Sequence, residues 1–245
     1  MQALDFSGRT ALVVGGSSGI GNGIAQALRT NGAAVHVWGT RASAKDYAGE
    51  AGSDLSGLTY TSVDVGDDAA VESAGPGFET LDALVLCQGT VLYDRQEFAM
   101  PGFRKVLDVN LSSLMACAEK FRPHLARAKG ALIIVSSTAA FHSTKGNPAY
   151  NASKAGAVGL TRTLAEAYAR DGIRVNGIAP GLVDTKLTKV TTDNPKRLDA
   201  TLAKIPMRRL GTPTDMAGVA LFLASPLSAY VLGQTIIVDG GLLLA

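Results

Sequence analysis

Two kinds of apolar pattern alternate along the chain. Compact runs rich in Val, Ile and Leu stand at Thr10–Val14, Ala34–Trp38, Thr59–Val63, Ala83–Leu86, Ala131–Val135, Ile173–Ile178 and Thr235–Val238. Runs of this kind, with little polar alternation, predict strands buried on both faces. Between them lie stretches with helical spacing. Ile20–Arg29 predicts one helix, Phe103–Leu125 a long one with Leu107, Leu111, Leu114, Met115 and Ala118 as its apolar positions, and Tyr150–Ala169 another. Strand–helix alternation predicts an α/β fold with a parallel sheet and right-handed crossovers. No internal repeat or low-complexity linker interrupts the pattern, so residues 1–245 read as a single domain. The polar stretch 184–209 breaks the rhythm. It carries Lys186, Lys189, Lys196 and Arg197 and exceeds an ordinary connection. It reads either as a substrate lid or as a solvated helical excursion.

Composition narrows the classes. Of 245 residues 47% are hydrophobic, enough apolar area to offset chain entropy, so intrinsic disorder is excluded. Twenty-three basic residues against 21 acidic ones leave no electrostatic footprint for nucleic acid and no polybasic run for an anionic membrane. Cys87 and Cys117 lack paired spacing, and the three histidines (His36, His124, His142) form no metal-ligand motif, so no metal is expected. The opening Met1–Gly8 shows no basic region leading into an apolar stretch, and no apolar run is long enough to span a bilayer. The expectation is a cytoplasmic protein without nucleic-acid or membrane partners.

The first strand ends in Val14-Gly15-Gly16-Ser17-Ser18-Gly19-Ile20-Gly21 and opens a helix. Glycine permits tight turns and close backbone approach, and the helix start presents free N–H groups and a positive dipole end. A dinucleotide pyrophosphate suits such a turn, with contacts from Gly15, Ser17, Ser18, Gly19 and Ile20. Cofactor choice is read at the end of the second strand. There Trp38-Gly39-Thr40-Arg41 offers no carboxylate for the ribose hydroxyls of NAD(H), while Arg41 offers a cation for a 2′-phosphate. This favours NADP(H), with NAD(H) as the alternative if Arg41 is an ordinary surface charge. Asp64, followed by Val65, is placed either to meet an adenine amino group or to cap a short helix near Asp67.

The chemical end follows the fifth strand. Ser137 stands at the strand end, and Tyr150 and Lys154, four apart, share one helix face. A phenol is a poor base at neutral pH, but a neighbouring ammonium stabilises the phenolate. Bringing its pKa from ~10 to ~7 corresponds to about 4 kcal/mol. Tyr150 then serves as a general acid/base towards an alcohol oxygen that Ser137 holds by hydrogen bond.

In these residues the chain resembles the short-chain dehydrogenase/reductases from end to end, close to their 3-oxoacyl reductase branch. Gly15, Gly19 and Gly21 match the family's cofactor turn, and Ser137, Tyr150 and Lys154 its catalytic residues. Asn110 matches the asparagine that completes the tetrad, Pro180–Thr185 the segment beside the nicotinamide, and Val238–Gly241 the C-terminal strand and turn. The resemblance implies a Rossmann-type, doubly wound fold with a seven-stranded parallel sheet. It implies an NAD(P)-dependent enzyme interconverting a ketone and a secondary alcohol, with a proton relay through Asn110. It adds Gly89, Pro180, Gly181, Val183 and Thr185 to the cofactor contacts, and a homotetramer, or a homodimer, paired through the long helices. A 3-oxoacyl-thioester reductase and a non-catalytic dinucleotide-binding regulator are the alternatives. Lys204, Arg208 and Arg209 keep an acidic acyl carrier in play.

The chain also departs from the family. Val14 replaces the usual threonine, and Leu86-Cys87-Gln88-Gly89 an Asn-Asn-Ala-Gly run, so an apolar contact between Val14 and Leu86 or Cys87 is expected in place of a hydrogen bond. The stretch from Asp64 to Leu86 is short and holds Ala74-Gly75-Pro76-Gly77, so its helix should be clipped. His142, between Ser137 and Tyr150, is a possible substrate contact or a plain surface residue; His36 reads as an interior or edge residue and Cys87 as packing.

Overall fold

The branched and aliphatic runs form strands, five of them in the core; the runs at Thr59–Ser62 and Thr235–Val238, expected to be buried on both faces, are edge strands with no fully buried residue. A computed structural model describes residues 4–244; residues 1–3 and 245, where the opening stretch and the predicted domain begin and end, lie outside the described residues. In chain order the main elements are β1 (Thr10–Val14), α1 (Gly19–Thr30), β2 (Ala34–Gly39), β3 (Thr59–Ser62), α2 (Asp68–Ser73), β4 (Ala83–Leu86), α3 (Met100–Leu107) and α4 (Ser113–Ala128). They continue as β5 (Ala131–Val135), α5 (Pro148–Tyr168), β6 (Arg174–Pro180), α6 (Lys189–Thr192), α7 (Pro195–Leu202), α8 (Pro213–Ala224) and β7 (Thr235–Val238). The strands make one seven-stranded parallel sheet in the order β3-β2-β1-β4-β5-β6-β7. The order reverses between β1 and β4, and a ligand crevice opens at such a switch point, beyond the carboxyl ends of the strands.

Alternate residues of each strand feed two cores. Leu12, Val14, Leu84 and Leu86 pack with Leu114, Phe121 and Leu164 of α4 and α5 on one face. Ala11, Val13, Val85 and Ile133 pack with Ile24, Leu28, Met216 and Leu223 of α1 and α8 on the other. Each fully buried Val or Leu contributes roughly 1.5–3 kcal/mol. Val14 is the register partner of Leu86, both lie in the same core, and Cys87 joins the opposite one. Of the two apolar partners foreseen for Val14, Leu86 is therefore the one on its face.

Among the helices one expectation is revised, and one helix was not foreseen. The long helix predicted over Phe103–Leu125 is not uniform: a π-helical turn, Asp108–Ser112, separates α3 from α4. Helix α8 had no helical stripe to announce it, because apolar residues run all round it; it packs beside α1 and against β5 and β6. The polar stretch 184–209 contains α6 and α7, neither of which buries a side chain. The clipped helix is present as the six-residue α2. No helix among the described residues is long and apolar enough to cross a membrane.

Candidate active site

The carboxyl ends of β1, β4, β5 and β6 surround a cleft of about 540 Å³. Its far wall is the turn between β1 and α1. Gly15 sits at φ +75°, and a Cβ there would stand 2.8 Å from the Gln88 backbone nitrogen. Gly21 is required for space instead: a Cβ would come within 2.2 Å of the Gly15 carbonyl oxygen. The turn is tied down by Asn22, whose amide donates to Asp54 O at 2.7 Å and accepts from Asp54 N at 3.0 Å. Helix α1 has no acid in its first turn, and Ser18 makes no side-chain cap bond. Gly19 N–H is taken by Gly52 O at 2.8 Å, so it is the dipole end and the N–H groups after Gly19 that meet the cleft without a protein anion, which fits a pyrophosphate.

Ser17, Ser18, Gly19 and Ile20 line this end, with Thr40 from beyond β2 and Asp64 and Val65 from beyond β3. Asp64 accepts from Gly66 N at 2.9 Å, and α2 is capped by Asp67, so the capping alternative for Asp64 falls away. Arg41 is not among the lining residues. Its guanidinium pairs with Glu50 at 2.6 Å, lies 4.5 Å from the Tyr47 ring centroid and donates to Asp46 O. Glu50 also pairs with Lys186 of the 184–209 stretch.

At the other end Ser137, Tyr150 and Lys154 line the cleft opposite Gly89, Pro180, Gly181, Val183 and Thr185. Lys154 is buried; its ammonium donates to Val135 O at 3.1 Å and lies 5.7 Å from the Tyr150 ring centroid. Ser136 clamps the same helical turn by donating to Lys154 O at 2.7 Å. Asn110, fully buried in the π-helical turn, accepts from Thr90 N at 2.7 Å and donates to Thr90 O and to Ser153 Oγ. It borders the cleft from behind: a Cβ on Gly89 would lie 3.5 Å from Lys154 Nζ and 3.7 Å from Asn110 Oδ1. Burial lowers Lys154 to about 8. Burial also holds Tyr150 above its ordinary value, against the opposing hydrogen bond from Ser137. The downward shift argued for Tyr150 is therefore absent from the protein alone, because desolvation outweighs its neighbours.

His142 is exposed and outside the lining residues; its ring meets Ser143 O at 2.9 Å and its carbonyl accepts from Asn151. Sequence reasoning missed Lys105 and Thr90, which line the cleft; Cys87 and Gln88, expected near the cofactor, line it too, as does Lys186–Thr188 of the 184–209 stretch. It also missed Glu97, only 1% exposed, whose carboxylate accepts from Tyr150 N at 2.9 Å. The polar neighbours Asp94, Arg95 and Gln96 gave Glu97 the look of solvated surface.

This fold and cleft define a dinucleotide-dependent oxidoreductase. A family model described as enoyl-(acyl carrier protein) reductase matches residues 14–243. The chain is 36% identical to the 3-oxoacyl-[acyl-carrier-protein] reductase FabG of Chlamydia muridarum, covering 96% of this chain and 97% of the relative. It is 38% identical to the 2-dehydro-3-deoxy-D-gluconate 5-dehydrogenase of Bacillus subtilis, covering 98% and 96%. The structure of a gluconate 5-dehydrogenase from Burkholderia cenocepacia, in complex with NADP and tartrate, superposes with a TM-score of 0.89 at 29% identity, over 99% of this chain and 98% of that one. The chain belongs to the short-chain dehydrogenase/reductase family.

Proposed function

We propose that this protein is an NADP(H)-preferring enzyme that interconverts a ketone and a secondary alcohol, with Tyr150 as its acid/base. The observation that carries the reading is one cleft in which an anion-ready helix start at Gly19–Gly21 faces Ser137, Tyr150 and Lys154. The bound cofactor supplies or accepts the hydride. Tyr150 passes the proton to or from the substrate oxygen, and Ser137 donates a hydrogen bond to that oxygen. Lys154, held by Val135 O, keeps a cation beside the phenol and reaches the nicotinamide ribose. Asn110 stands behind Lys154 as the inner end of a proton path. The turn residues Gly15–Ile20, with Thr40, Asp64, Val65 and Gly89, hold the adenosine and pyrophosphate, while Pro180, Gly181, Val183 and Thr185 flank the nicotinamide. His142, exposed and outside the lining residues, meets at most the outer part of a substrate.

The 184–209 stretch acts as the lid. Tyr93 donates to Leu187 O at 2.8 Å from across the cleft, and Lys186 reaches Glu50 on the adenosine side. A 2′-phosphate would draw Arg41 away from Glu50, an exchange of one anion for another. The relatives support a second reading, a 3-oxoacyl-thioester substrate. Arg209 is engaged in both directions by Asp215, which leaves Lys204 and Arg208 to meet an acidic carrier. The assembly is a homotetramer in the cytoplasm. Exposed Met115 on α4 supports pairing through the long helices.

Fluorescence titration with NADPH and NADH, on wild type and Arg41→Ala, tests the cofactor reading. Tighter NADPH binding that weakens in the variant is expected. A preference for NADH that ignores Arg41 would overturn it. Turnover of acetoacetyl-coenzyme A against gluconate separates the two substrate readings.

A further inference from the structure

We propose that Glu97 is a positioning residue for the acid/base tyrosine, a carboxylate that fixes the first turn of α5 and carries the state of the substrate-side loop to Tyr150. This rests on the reading of Tyr150 given above. Helix α5 lacks the ordinary device for starting a helix: Asn147 occupies the cap position but makes no side-chain cap bond. Glu97, fifty-three residues before Tyr150 in the chain, supplies the acceptor instead. Its Oε2 accepts from Tyr150 N at 2.9 Å, at the third residue of the helix. Its Oε1 accepts from Leu92 N at 3.0 Å and from Asn147 Nδ2 at 3.2 Å. Asn147 in turn donates to Leu92 O at 2.9 Å. One carboxylate thus joins the loop after β4, the turn before α5 and the backbone of the reacting tyrosine.

The site is built rather than incidental. Glu97 is 1% exposed, and among the described residues it enters no salt bridge. A buried carboxylate is costly unless its lone pairs are used, and here N–H groups and the positive end of a helix replace a cation. Only an acceptor on both oxygens satisfies these donors. Glutamine would present an amino group to at least one N–H, so Glu97→Gln keeps the shape and breaks the pattern. The charge also reaches the phenol. The groups facing Tyr150 are Ser137, Lys154, Cys87, Tyr93 and Glu97, and the negative charge of Glu97 disfavours the phenolate. Tyr93, which bonds the lid at Leu187 O, follows Leu92 in sequence, so lid and anchor share one loop.

The test reads two quantities. The ionisation of Tyr150 is taken with NADP+ bound, as the ultraviolet difference between each background and its Tyr150→Phe counterpart. Turnover is taken with acetoacetyl-coenzyme A or gluconate, whichever wild type converts faster. In Glu97→Gln the Tyr150 midpoint moves to lower pH, because a negative charge beside the phenolate is gone. In the same variant kcat falls about tenfold or more while the KM for the cofactor stays within about twofold, since a misplaced acid/base affects the chemical step. Both changes are required; the absence of either overturns the proposal. If Glu97→Gln does not fold, Glu97→Asp decides. It keeps the charge but not the reach, so kcat falls while the midpoint holds, and wild-type kcat overturns the proposal. Wild-type turnover by Tyr150→Phe alone is a different failure, that of the acid/base assignment, and is read before any Glu97 variant.

Discussion

Gln88 is both a wall of the cleft and a strut of the core. Its Nε2 donates to Ser113 Oγ at 3.0 Å, and Ser113 donates onward to Val109 O at 2.7 Å. Ser113→Ala leaves that buried amide donor without a partner, and should cost about 1–3 kcal/mol in denaturant unfolding. The neighbouring pair Val14 and Leu86 makes the reverse case, an apolar contact on one face of adjacent strands. Val14→Thr and Leu86→Asn should each destabilise by about 1–3 kcal/mol, while the double variant loses less than their sum. Additive losses would remove the idea of a joint replacement. At this scale the chemistry-bearing residues were legible because chemistry restricts residue type and spacing: a strand-end Ser137 and a Tyr150/Lys154 pair one helical turn apart leave few readings. Glu97 was illegible because burial, not type, gives it meaning. Arg41 was legible as a cation but not as one already paired, since Glu50 comes to it from a loop.

Elements were legible where one face differs from the other. The strands and α1 showed their periods: β1, β4, β5 and β7 have the predicted bounds, and the ends of β2, β3, β6 and α1 differ by at most two residues. Helix α8 is apolar nearly all round and shows no stripe, although Thr212 and Asp215 form a capping box, with Pro213 at the first helical position, that marks the start. The π-helical turn at Asn110 was hidden because the side-chain pattern runs on through it, while the backbone shifts by a residue. In the lid reading proposed for 184–209, Tyr93→Phe removes one tie across the cleft, the bond to Leu187 O. One such bond contributes about 0.5–1.5 kcal/mol, so NADPH should leave roughly 2–10 times faster in stopped-flow displacement. An unchanged release rate would separate Tyr93 from the lid.

The whole molecule follows from topology. Apolar runs alternating with helices imply a parallel sheet with right-handed crossovers, which is why that much was legible from pattern, while the seven-stranded doubly wound arrangement came from the family resemblance. Acid sensitivity also belongs to this scale. His36 and His124 both meet the Phe78 ring edge-on, at 5.0 and 5.8 Å between centroids. Burial holds both below the ordinary histidine value, with Arg127 and Lys120 adding to the effect at His124. As pH falls through about 6.5, the unfolded chain binds these protons first, so stability present above that pH declines below it. Denaturation midpoints should fall between pH 7 and pH 5, and a His36→Gln/His124→Gln variant should flatten that slope. A slope equal to wild type would place the acid sensitivity elsewhere.

The account stands on one cleft that joins a phosphate-ready turn to a tyrosine able to move a proton. Its most direct test is NADPH oxidation by Tyr150→Phe beside wild type, with a ketone that wild type reduces and with cofactor binding checked on both proteins. The account predicts no turnover from the variant and cofactor affinity close to wild type. Turnover at the wild-type rate would show that the proton comes from elsewhere, and would contradict the assignment on which the mechanism is built.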